Sequence, residues 1–203
     1  MKFLKLNHLF RNTAKLLAKG LVVVLAASTL FLGHVAEAAT NSGGNKVLTV
    51  FYSRTGNTRD MAKLVHGIVG GDIVELQPAH SYPEGYRATT EQAKKELEAN
   101  FMPPLKTTVE DISQYDVIFV GSPSWWGTFA STVRAFLSQH DFSGKTVVPF
   151  ITHEGSGLGD SMNDLKRLCP TAIIKEGLAI RGGRVSRSQT EINNWLKRIE
   201  IAQ

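Results

Sequence analysis

A three-layer α/β/α sandwich around a five-stranded parallel sheet is the fold class this sequence predicts, and three observations predict it. Five short apolar runs alternate with stretches of helical period between residues 46 and 200. The runs are nearly free of charge, as strands covered on both faces must be. Polar, glycine-bearing turns separate each run from the helix that follows, the pattern of repeated βαβ units with right-handed crossovers.

Lys46–Tyr52 (KVLTVFY) is the first strand. The helix after it, Asn57–Val69, sets Met61, Val65 and Ile68 on one stripe, and Gly70-Gly71 ends it. Asp72–Leu76 is the second strand. A polar section, His80–Arg87, leads to a helix over Thr90–Asn100, with Thr89 and Gln92 as its capping box and Pro103-Pro104 as its stop. Tyr115–Gly121 is the third strand, and the helix Phe129–Gln139 turns Val133, Phe136 and Leu137 to the core. Lys145–Thr152 is the fourth strand, Gly159–Leu168 a helix, and Ala172–Ile180 a fifth strand interrupted near Gly177. Ser188 and Glu191 have the spacing of a capping box for the last helix, which buries Ile192, Trp195, Leu196 and Ile199. Pro149 lies inside the fourth strand; lacking an N–H, it requires a bulge or a position without a pairing partner.

Residues 1–38 are set apart as a secretory signal. Lys2, Lys5, Arg11, Lys15 and Lys19 precede an uncharged segment, Gly20–Gly33, and Ala36-Glu37-Ala38 has the small residues of a cleavage site. The alternative is a retained membrane anchor, but the apolar run is shorter than the ~20 residues of a spanning helix. Residues 39–45 then form a polar tether and 46–203 the folded domain. Membrane contact is expected only through the signal, and the mature chain is expected to be exported, periplasmic or secreted. The signal carries five basic groups and one acid, so its removal lowers the formal net charge from +5 to +1. The basic balance therefore gives no argument for nucleic acid, and no basic stripe with interleaved aromatics is found. A single cysteine, Cys169, rules out an internal disulfide and paired-cysteine metal sites.

In a parallel sheet, ligands bind beyond the carboxyl ends of the strands. The loop after the first strand, Ser53-Arg54-Thr55-Gly56-Asn57-Thr58, surrounds one glycine with small polar residues at a helix start. Free amides and the positive end of the helix make such a loop a cup for a terminal phosphate; the bland alternative is a capped polar turn. It has neither the lysine-bearing ATP loop pattern nor the dinucleotide glycine fingerprint. After the third strand comes Gly121-Ser122-Pro123-Ser124-Trp125-Trp126-Gly127-Thr128, whose adjacent indoles either stack on a flat ligand ring or pack on the domain's own helices. After the fourth strand, Thr152-His153-Glu154-Gly155-Ser156-Gly157 suits close backbone approach to a ring edge.

The sequence Tyr52–Thr58 resembles the phosphate-binding signature [ST]-x-T-G-x-T of the flavodoxin family, and the resemblance extends over 46–200. It is similar to the bacterial flavodoxin-like subgroup with a Trp-Trp-Gly loop. The resemblance implies strand order 2-1-3-4-5, FMN as cofactor and an isoalloxazine ring flanked by the Trp-Trp-Gly loop. It also implies a peptide near Gly127 that answers N5 protonation. It leaves open which of Trp125 and Trp126 covers the ring. Glu154 stands where the subgroup's Thr-His-Gly-Gly-Ser-Gly pattern has glycine, and is expected to face solvent. His153 is the one candidate for passing a proton, against a loop-stabilising hydrogen bond; no partner base is identifiable.

The resulting site comprises Ser53, Arg54, Thr55, Gly56, Asn57 and Thr58; Pro123, Ser124, Trp125, Trp126 and Gly127; and Thr152, His153, Gly155, Ser156 and Gly157. Tyr82–Arg87 is expected to act as a lid over the flavin, and Arg181–Arg184 is a solvated loop or a contact for an anionic partner. The function implied is electron transfer, or reduction of a quinone-type acceptor with an NAD(P)H or quinone-linked donor. The alternative is a ligand-binding or sensor module without redox turnover. A hydrolase lacks an identifiable nucleophile–base pair or metal cluster.

Overall fold

The computed structural model describes residues 45–201; the expected signal segment, 1–38, and nearly all of the expected tether, 39–45, lie outside the described residues. The elements run β1 Val47–Phe51, α1 Asn57–Val69, β2 Asp72–Glu75, α2 Tyr86–Glu98, β3 Val117–Trp125, β4 Thr128–Phe129, α3 Ser131–Gln139, β5 Thr146–His153, α4 Ser161–Leu168, β6 Ile173–Ile174, β7 Leu178–Arg181 and α5 Gln189–Arg198. The parallel sheet has the order β2-β1-β3-β5, with β6 and β7 both pairing with β5 to fill the fifth position. The 2-1-3-4-5 arrangement holds, with the fifth strand in two pieces.

Strand alternation sorts the core into two layers. Leu48, Val50, Ile118, Val120, Val147 and Ile151 meet Val133, Phe136 and Leu137 of α3 and Leu165 of α4 on one face, where α2 also packs. Phe51, Val117, Phe119, Val148 and Phe150 meet Met61, Ala62 and Val65 of α1 and Ile192, Trp195 and Leu196 of α5 on the other. The residues expected to be core on α1, α3 and α5 are buried, apart from Ile68, which packs at the edge.

Pro149 and the broken fifth strand prove to be one feature. Lys175 N–H donates to the Val147 carbonyl, so the alternating backbone groups of Val147 and Pro149 face the fifth position. β6 pairs with Thr146 and Val147, and β7 begins opposite Phe150. The gap between them therefore lies beside Pro149, where no amide is present to donate.

Three local expectations are corrected. The third strand does not end at Gly121; it continues to Trp125 and turns back through β4, pairing Ser124 with Phe129 and Trp125 with Thr128. The Trp-Trp-Gly segment is thus a tight hairpin. The helix expected from Thr90 starts at Tyr86, because the Thr89 hydroxyl donates back to the Pro83 and Gly85 carbonyls and does not cap. Ser188 and Glu191 form no capping box either: the Ser188 hydroxyl donates to the Arg184 carbonyl, and Glu191 pairs with Arg184.

One buried ion pair braces the hairpin. Arg134 on α3 is 2% exposed and Asp164 on α4 is 5% exposed. Arg134 Nε donates to Asp164 Oδ2 at 3.0 Å, Thr128 Oγ1 donates to the same oxygen at 2.9 Å, and Arg134 Nη2 reaches Asn100 Oδ1 at 2.8 Å. Arg167 donates to the other carboxylate oxygen. Removing one member of such a pair strands a buried charge. Asp164→Ala is therefore expected to cost about 3–5 kcal/mol in urea unfolding. The double change Arg134→Met with Asp164→Leu should recover most of that loss; an unaltered midpoint for Asp164→Ala would contradict the bracing role.

Candidate functional site

β1 lies between β2 and β3, so the crossovers leaving it and β3 run to opposite sides of the sheet, and a crevice opens at their carboxyl ends. A cleft of about 540 Å³ occupies this place, within the ~300–1,000 Å³ of small-molecule sites. Of the residues expected from sequence, Arg54, Thr55, Asn57, Thr58, Pro123, Ser124, Trp125, Trp126, Gly127, Thr152, His153, Gly155 and Ser156 line it. Ser53, Gly56 and Gly157 do not line it.

The first loop is built to leave amides free. Gly56 precedes α1 with φ 103°, in the left-handed region, and no side chain caps the helix. Ser53 turns inward and its Oγ accepts the Gly56 N–H at 3.2 Å. Among the described residues, the amides of Asn57, Thr58 and Arg59 have no protein acceptor, and the first bond of the helix runs from Asp60 N–H to the Gly56 carbonyl. These amides carry the positive end of α1. Thr58 is 1% exposed, and its hydroxyl shares a hydrogen bond of 2.7 Å with that of Thr152, tying the first loop to the third.

The second loop is a two-residue hairpin turn. Trp126 (φ 53°) and Gly127 (φ 80°) both have positive φ, the requirement of the turn type that fits strand twist. A bulky side chain in that region is strained by roughly 1–3 kcal/mol. Several contacts hold it there. Trp126 Nε1 donates to the Thr90 carbonyl at 2.9 Å, and the Lys94 ammonium lies 5.4 Å from the ring centroid. The Gly127 carbonyl accepts from Asp160 N–H at 2.7 Å. A Cβ on Gly159 would lie 2.2 Å from that carbonyl oxygen, so only glycine lets α4 approach the turn.

The two indoles take different surroundings. Trp126 is 55% exposed. Trp125 is half-buried, with its ring edge-to-face against Tyr52 and Tyr82 at centroid distances of 5.6 and 4.7 Å. Burial raises the phenol pKa of both tyrosines well above the ordinary value. Ser124 and Ser156 share a hydrogen bond of 2.7 Å that joins the second loop to the third.

Glu154 lines the cleft but its carboxylate is 72% exposed and pairs with Arg181 at 3.4 Å. His153 lines the cleft with a buried Nδ1 that has no hydrogen-bond partner among the described residues. Neither a relay base nor a loop-bracing bond engages that atom. No group of three metal-ligating side chains occurs among the described residues.

Sequence reasoning missed one wall of the cleft. Tyr86, Thr89, Thr90 and Ala93 line it from α2. Their i, i+3, i+4, i+7 spacing marks a single helix stripe, a signal present in the sequence once α2 is begun at Tyr86. The 82–87 segment crosses the cleft's edge through Tyr86, while Tyr82 packs inward on Trp125.

The sequence pattern of the flavodoxin family matches residues 46–199. The chain is 26% identical over 140 residues to a flavodoxin from Synechocystis, covering 66% of this chain and 65% of that protein, just under two thirds of its length. It is 32% identical over 97 residues to an NAD(P)H dehydrogenase (quinone) from Cupriavidus metallidurans, covering 47% of this chain and 46% of that one. A Bacteroides eggerthii structure provisionally named a flavoprotein superposes with TM-score 0.69 at 32% identity, covering 77% of this chain and 99% of that one. A Lactobacillus acidophilus flavoprotein solved in complex with FMN superposes with TM-score 0.59 at 22% identity, covering 71% and 98%. With that pattern spanning nearly every described residue, the chain belongs to the flavodoxin family.

Proposed function

We propose that this chain is an exported flavoprotein that binds FMN in the cleft at the ends of β1, β3 and β5 and passes electrons through it. The observation that carries the reading is the coincidence of two unlike ends in one cleft. One end offers the unpaired first-turn amides of α1 with the Thr55 hydroxyl and the Asn57 side chain; the other offers indoles and peptide edges. A phosphate-bearing cofactor with a flat, polar-edged ring has the same two ends. The residues present fit FMN on this chemistry, and the flavoprotein complex with FMN supports the same choice.

The assignments follow the donor set. The first-turn amides and Thr55 hold the phosphate, where the helix end favours negative charge. Trp125 and Trp126 cover the ring region. The 152–156 backbone meets the ring's polar edge, with Thr152 locked to Thr58 so that the phosphate and ring subsites keep a fixed spacing. When bound, the flavin supplies the electron-accepting and electron-donating chemistry. The protein's part is to exclude water from the ring, orient it and set the local field. Glu154, facing solvent against Arg181, adds little negative charge at the ring.

A mature charge near +1 differs from the strongly acidic character of shuttles that steer toward basic partners. Export separates the chain from a ready supply of NAD(P)H, so the electron source is a membrane-associated donor or a quinone. The partial likeness to an NAD(P)H dehydrogenase (quinone) supports a quinone as a redox partner; that relative's name also gives NAD(P)H as donor, which the export argument sets aside for this chain.

The exported chain is expected to begin at Ala39 by intact-mass analysis, to be yellow when purified, and to release one FMN per chain on acid treatment. Colourless protein that takes up no FMN in a titration would reject the cofactor, and an uncleaved N-terminus would reject the exported form. In stopped-flow mixing, NADPH is expected to bleach the bound flavin far more slowly than a reduced quinone exchanges electrons with it; rapid bleaching by NADPH would overturn the choice of donor.

A further inference from the structure

An arginine inside an anion cup is read first as the anion's counter-charge. The geometry points to a different role for Arg54: we propose that it is a positioning residue whose guanidinium fastens the segment Tyr82–Tyr86 along the edge of the cleft, and not a ligand of the phosphate.

Arg54 Nη2 donates to the Pro83 carbonyl at 3.1 Å and also to the Glu84 carbonyl. It makes no ion pair with a carboxylate among the described residues. The segment it grips has one inner anchor: the Tyr82 hydroxyl donates to Glu96 at 2.7 Å and its ring lies against Trp125. From Pro83 to Gly85 the backbone turns out of the core, and its carbonyls are met from the two sides of the cleft. Thr89 Oγ1 reaches Pro83 from α2 at 2.6 Å, and Arg54 reaches Pro83 and Glu84 from the first loop. Immediately after this grip α2 begins, and its first residue, Tyr86, is 78% exposed while lining the cleft. Gly85 provides no side-chain cap, and among the described residues Thr89 and Arg54 are the side chains that bond to the backbone of 83–85. Among the described residues, Arg54 is the one side chain of the first loop that hydrogen-bonds to the segment leading into the wall of Tyr86, Thr89, Thr90 and Ala93.

The two N–H bonds of Nη2, fixed in the guanidinium plane, suit two adjacent carbonyls, and a freely rotating ammonium on a flexible stem suits them less well. The two roles also act on different parts of a ligand. A staple supports the whole wall and so affects the ring and the phosphate alike. A counter-charge affects only a ligand that carries phosphate. The ligand arm of the test rests on the FMN reading; the exchange arm does not.

The experiment compares the purified full chain with Arg54→Met and Arg54→Lys. Flavin-fluorescence titrations use FMN and riboflavin, and hydrogen exchange is followed in the flavin-free protein. The staple predicts that Arg54→Met weakens FMN and riboflavin by the same factor, roughly tenfold or more for the loss of hydrogen bonds from a charged donor. It predicts faster amide exchange confined to residues 84–90, with the rest of the sheet unchanged, and only partial recovery in Arg54→Lys. Loss of FMN affinity alone, with riboflavin binding and exchange unchanged and FMN binding restored by Arg54→Lys, would overturn it. If Arg54→Met does not fold, Arg54→Lys carries the same comparison. If the unaltered chain binds neither flavin, the exchange arm decides on its own.

Discussion

Among the described residues, the amides that open α1 have no acceptor, and much of the site follows from that. Buried or half-buried N–H groups are rarely left without a partner, and a helix start adds positive partial charge to the need. Here the sequence withholds the usual remedy. Gly56 stands where a capping serine or aspartate would serve, and Ser53 spends its hydroxyl on Gly56 itself. The helix end is thereby kept open toward the cleft, at the one place where β1 lies between strands whose crossovers diverge. An anion arriving there meets donors already oriented by the fold.

The other walls are held by contacts that lock loop to loop. Thr58 with Thr152 and Ser124 with Ser156 link the first loop to the third and the second to the third. The hairpin that carries the indoles is strained at Trp126, and its geometry persists because the surroundings over-determine it. Asp160 N–H takes the Gly127 carbonyl, and Asp164 takes the Thr128 hydroxyl while neutralising the buried Arg134. The cleft is thus rigid where it would meet a ring. Its α2 edge rests on fewer bonds, among them those from Arg54.

Most of the frame was legible because it depends on composition and period. Strands covered on both faces leave nearly uncharged runs, and Pro149 with Gly177 announced a gap that the ladder realises as two short strands. The first loop was legible because its chemistry is local to consecutive residues. What escaped depends on long-range choices. Gly121–Thr128 reads as a loop, since nothing in sequence says that a tryptophan will accept positive φ; that choice is settled by Thr90, Lys94 and Asp160 from other elements. The two capping boxes failed because Thr89 and Ser188 found carbonyls in the preceding turn. Beginning α2 four residues late concealed the stripe of Tyr86, Thr89, Thr90 and Ala93 that forms a wall.

The central claim is that the opening turn of α1 takes a phosphate with its main-chain amides. Amide proton and nitrogen shifts of residues 55–59, followed as FMN and then riboflavin are added to the isotopically labelled chain, test it most directly. The account predicts large downfield movement of the Asn57 and Thr58 amide protons with FMN and little with riboflavin, while the indole signals respond to both. Amides at 57 and 58 that stay unmoved in a fully FMN-loaded sample would contradict it.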